Sequence, residues 1–103
     1  MITIDPAKIR RETMRWYLLL TLNNSRPVDP HEILVLSTIQ GIYPDATQLE
    51  VRRELDYLAH RSLVTLDKQP GGSWIAGLTH YGVDVAEYTI ACNPGIARPQ
   101  QSA

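Results

Sequence analysis

Four side chains in the middle of this 103-residue chain can recognise a flat polar edge or a phosphate: Gln48, Arg52, Arg53 and Lys68. An arginine guanidinium forks two N–H donors toward guanine O6 and N7, and a glutamine amide pairs with adenine N6 and N7. Lysine is a point charge suited to phosphate. The first three residues fall in TQLEVRRELDYL, residues 47–58. There Thr47 and Glu50 have capping-box spacing, and Val51, Leu55 and Leu58 share one narrow arc at 100° per residue. A helix over about residues 47–61 is expected. Its outer face would carry Leu49, Arg53, Asp56, Tyr57 and His60, with Gln48 and Arg52 on one flank and Glu50, Glu54 and Arg61 on the other. A plainer reading stands beside the first: Arg52 and Arg53 pair with Glu50, Glu54 and Asp56 on a solvated helix.

Other chemistry finds less material. His31, His60 and His80 sit on different segments, with no i,i+4 pair, so no metal is expected. Cys92 is the only cysteine, which excludes a disulfide within the chain and a cysteine-rich zinc site. It also has no local basic or histidine cluster to activate it. The PGG at residues 70–72 is a hairpin tip and not a strand-to-helix phosphate cradle. Nothing in the sequence suggests a nucleophile with a base, or paired carboxylates in a pocket. The expectation is a non-enzyme without cofactor.

The elements that must position these residues can be read along the chain. Asp5 and Pro6 read as cap and first turn of a helix whose inner face is Ile9, Thr13, Trp16, Tyr17 and Leu20, ending at NNSRP. Asp29 and Pro30 repeat that logic for a second helix, with Ile33, Leu36 and Ile39 inward and Leu34, Val35 and Ile42 widening the apolar face. After the third helix, LVTL and SWIAGL flank QPGGS as a β-hairpin. Thr79 caps a last helix through THYGVDVAEYTIA, with Val83, Ala86 and Ile90 on one side. CNPGIARPQQSA lacks periodicity. The expected organisation is one domain over residues 1–92 and a flexible tail over 93–103.

The composition, 44% hydrophobic and 20% charged, fits a single globular domain. No basic start with an apolar run suggests a signal peptide, and WYLLL is far too short to span a membrane. Together with the lone cysteine this points to the cytoplasm. The net charge of −1 favours no particular partner, but its distribution is uneven. Residues 1–28 carry five cations and two carboxylates, whereas residues 29–67 carry three arginines and seven carboxylates. In the first helix Lys8, Arg11 and Arg15 form a stripe that would either touch a phosphate backbone or face water.

The order helix, helix, helix, hairpin, helix resembles the winged-helix superfamily, an α+β fold. LDYLAHRSLVTL matches its L..L...GLV run through Leu55, Leu58, Leu63 and Val64, with Ser62 at the usual glycine. LTHYG, residues 78–82, resembles the LT.KG that follows the wing in bacterial regulators of the multiple-antibiotic-resistance and phenolic-acid-repressor types, with His80 and Tyr81 replacing charged residues. LLLTLNNSRP, RRELDYL and GIARP are similar to small winged-helix proteins of Mu-like prophages. The resemblance implies double-stranded DNA as partner, with Gln48, Arg52 and Arg53 entering the major groove and Lys68 brushing the backbone. It also suggests a homodimer through the terminal helices, whose apolar residues exceed one face each; the plainer reading is that these helices cover each other within one monomer. The acidic middle of the chain keeps a second expectation open: a winged helix that binds protein and not DNA.

Overall fold

The computed structural model describes residues 3–101, in the order α1 (Pro6–Ser25), α2 (Glu32–Gln40), α3 (Gln48–His60), β1 (Val64–Lys68), β2 (Trp74–Leu78) and α4 (His80–Ala86). In α1, Asp5 accepts the Ala7 and Lys8 N–H groups and Pro6 fills the first position, as the sequence implies. Its buried residues are Met14, Trp16, Leu18, Leu19 and Leu22. The expected face is corrected: Ile9 and Tyr17 stay exposed. The helix is apolar around most of its circumference, so α2, α3 and α4, all packed against it, decide which side is covered.

Helix α2 begins later than expected. His31 is its N-cap, and Asp29 and Pro30 lie outside. The Pro30 carbonyl accepts from Ala76 N–H at 3.1 Å, and His31 bridges to Ile75, so this segment is committed to the edge of the hairpin. Asp29 lies over Gly77, where a Cβ would collide with its carboxylate. Val35 and Ile39 are buried, whereas Ile33 and Leu34 point outward, against expectation.

Helix α3 buries Val51, Leu55 and Leu58 as its seam. Thr47 accepts the Glu50 N–H at 3.2 Å. Ser62 holds a left-handed φ of 61° where the chain turns from α3 into β1, and the Thr79 hydroxyl donates to its carbonyl at 2.6 Å. Strands β1 and β2 pair antiparallel from Val64↔Leu78 to Lys68↔Trp74. The Thr79 hydroxyl also accepts the Gly82 N–H and so caps α4. That helix ends at Ala86, short of the expected Ile90, and Tyr88 reverses the chain at φ 62°.

After α4 the chain folds back along the domain. Ala97 N–H donates to the Glu12 carbonyl at 3.0 Å. Arg98 donates to the Val85 and Ile90 carbonyls at 3.1 and 2.8 Å, tying this segment to the end of α4 and the turn after it. Ile96 and Cys92 pack on the core. The rest of the expected tail, residues 102–103, lies outside the described residues. Trp16 meets Tyr88 edge-on at 5.8 Å, so the terminal helices and this strap cover much of the apolar surface that suggested a dimer. Three helices, a two-stranded wing and a closing helix make an α+β winged helix. No helix among the described residues is long and apolar enough to cross a membrane.

Candidate nucleic-acid interface

The outward edge of α3 follows from its seam. With Val51, Leu55 and Leu58 buried, the opposite line runs Leu49, Arg53, Asp56, His60. Leu49 is 60% exposed. Arg53 and His60 are also exposed, and the Arg53 side chain has no hydrogen bond or ion pair among the described residues. Asp56 pairs with Lys68 at 3.3 Å.

The flank nearest the wing is organised by Glu32. This carboxylate stands in the first turn of α2 and is only 4% exposed. Its Oε1 accepts from Gln48 Nε2 at 3.0 Å and Arg52 Nε at 2.6 Å. Its Oε2 accepts from Arg52 Nη2 at 2.6 Å and from the Trp74 N–H. The guanidinium of Arg52 also lies 4.6 Å over the Trp74 ring and donates to the Gly72 carbonyl. Lys68 Nζ is 4.3 Å from the same ring centre. The Arg52 bond holds the Glu32 carboxyl below the usual carboxylate range, against the opposing effect of burial; Trp74 and Gln48 add to it. Glu32 in turn raises the Arg52 pKa.

Of the four residues singled out from sequence, then, Arg53 alone is presented without a partner. Gln48 and Arg52 are turned onto Glu32, and Lys68 is shared between Asp56 and Trp74. The acidic excess of residues 29–67 largely consists of partners for arginines. Glu32 was the decisive omission. Its only signal in the sequence is that it is the one charged residue of EILVLSTIQ.

The other flank faces α1. Arg10 forks onto Glu50 at 2.7 and 2.8 Å and reaches Asp45 at 2.9 Å, over the Tyr43 ring. These carboxylates raise its pKa. Arg15 pairs with Glu54 at 2.7 Å, stacks 3.5 Å over Tyr57 and donates to the Gly95 carbonyl at 2.8 Å. The expected basic stripe on α1 is thus dismantled: Arg15 is turned inward, Lys8 pairs with Glu12 at 3.9 Å, and Arg11 remains open.

A solved protein from Ralstonia eutropha, named as a candidate DNA-binding protein, shares this fold. It superposes with a TM-score of 0.58 over 86% of this chain and 100% of its own, at 20% identity. At that identity the likeness concerns the winged helix itself. No family model matches the sequence, and no curated protein matches it.

Within this winged helix the arrangement offers one unpaired cation, one apolar side chain, one histidine and the Lys68-paired Asp56 on an open helix edge, backed by a network that joins the wing to α3. It can dock on a grooved polar surface.

Proposed function

We propose that this chain is a winged-helix protein that binds double-stranded DNA, acting as a transcriptional regulator of a phage or prophage in a bacterial cytoplasm. The observation that carries this reading is Arg53, unpaired and exposed on the outer edge of α3, where a winged helix meets the major groove. The candidate DNA-binding protein of the same fold supports it. In this reading Arg53 contacts guanine. Gln48 and Arg52 act through Glu32, holding α3 and the wing at a fixed angle, and Lys68 lies toward the phosphates. A homodimer belongs to the same reading, with Ile9 and Tyr17 as the apolar positions α1 still offers.

Fluorescence anisotropy with a labelled mixed-sequence duplex tests it at about 50 and then about 200 mM salt. Two to four phosphate contacts predict a loss of roughly 10- to 150-fold across that range. Salt-independent binding, or none at about 50 mM, refutes the reading.

A second reading has its own support. Ion pairs occupy Arg10, Arg15, Arg26, Arg52 and both lysines, while Ile33 and Leu34 are exposed on α2. Such a surface suits a protein partner, and absence of DNA binding at low salt selects this reading.

A further inference from the structure

We infer that Leu49 is a specificity-determining residue that reads the 5-methyl group of a thymine beside the guanine contacted by Arg53. The inference rests on the DNA-binding reading above. A single exposed leucine is ordinary on a protein surface; its position here is what matters. Leu49 stands in the first turn of α3 on the same outer line as Arg53, and 60% of it is open. It is bracketed by polar networks, Arg52 with Glu32 on one side and Arg10 with Glu50 on the other. It therefore offers an isolated apolar contact between hydrogen-bonding groups. In the major groove the thymine methyl is the apolar feature among donors and acceptors, so the two match.

The spacing sets the register. Four helical residues rise about 6 Å, close to two base-pair steps of about 3.4 Å. The preferred site therefore contains a thymine and a guanine within about two steps of each other.

The experiment begins with selection of a site by the full chain from a random-sequence duplex pool at low salt. Each thymine of that site is then replaced by deoxyuridine, which removes only the methyl, and the affinities of the parent and of Leu49→Ala are measured. One position should weaken parent binding about fourfold, equivalent to about 0.8 kcal/mol for one methyl-sized group. Leu49→Ala should bind both duplexes alike. Circular dichroism confirms that the variant folds, as its exposure implies. A selected site without a methyl-sensitive thymine, or a deoxyuridine penalty undiminished in Leu49→Ala, overturns the inference and leaves DNA binding standing. If the parent binds no duplex at low salt, the DNA reading itself fails and takes the inference with it.

Discussion

Replacing Glu32 by glutamine keeps the side-chain shape and removes the charge on which α2, α3 and the wing converge. In the parent, two oxygens serve Gln48 Nε2, two nitrogens of Arg52 and the Trp74 N–H. Glutamine retains one acceptor oxygen and puts an NH2 donor at the other position. Whichever way the amide turns, donors face a donor. A buried polar group left unsatisfied costs about 1–3 kcal/mol, and the surviving bonds lose their charge assistance, which accounts for about half their strength. Water can reach Arg52, whose side chain is 26% exposed, so part of the loss is recovered. The expected destabilisation is about 2–4 kcal/mol, a large part of the total for a domain of this size. Urea unfolding followed by tryptophan fluorescence measures it. At slopes typical of small domains, the midpoint should fall by about 1–2 M with the slope unchanged. Hydrogen exchange at the Trp74 amide should speed up at the same time. A change below about 0.5 kcal/mol, with Trp74 still protected, refutes the account of Glu32 as the organising group.

The remaining predictions are more local. Arg53→Ala should leave the unfolding midpoint within error and weaken binding to a selected duplex by about 1–3 kcal/mol, read by anisotropy; Arg52→Ala should lower both. Because the folded Glu32 carboxyl is held below its ordinary value of about 4.3, its stabilisation is complete above that pH and is lost as pH falls through the lower folded value. Thermal unfolding from about pH 6 to pH 3 should show this loss in the parent and a smaller one in Glu32→Gln. Gly95 sits at φ +109°, and a Cβ there would collide with Tyr57 Oη, so Gly95→Ala should destabilise by about 1–3 kcal/mol in thermal melts. Burial pushes the Cys92 thiol pKa up, so a thiol reagent should label the parent slowly at neutral pH and the Gly95→Ala protein faster.

Features fixed by neighbours in sequence were legible in the sequence. Asp5 and Pro6 start α1, Thr47 caps α3, Thr79 caps α4, and the PGG tip closes the hairpin, because each depends on a few adjacent residues. The seam of α3 was legible because its apolar residues cover one arc only. In α1 they cover nearly all arcs, so periodicity could not choose between Tyr17 and Leu18. Asp29 and Pro30 have the chemistry of a helix start but are drawn to β2, more than 40 residues away in sequence. The candidate site suffered in the same way. Arg52 meets Glu32 across 20 residues, Arg10 meets Glu50 across 40 and Arg15 meets Gly95 across 80. Charge counts gave the acidic excess but not which arginines it would occupy.

The strap after α4 has a consequence for the order of events during synthesis. Arg15 needs the Gly95 carbonyl, and the Glu12 carbonyl receives Ala97 N–H, so α1 is finished by a segment made 80 residues later. Such distant closures are formed late, since chain entropy must be overcome before they stabilise anything. A nascent chain that has emerged only through α4 would hold the three-helix core and the wing, yet leave Ile96's seat against the core empty. The N-terminal turns of α3 would be in place while Tyr57, near its C-terminal end, still lacked its neighbour Gly95. A ribosome-bound chain should therefore gain its full resistance to proteolysis only once residues 95–98 have cleared the exit tunnel.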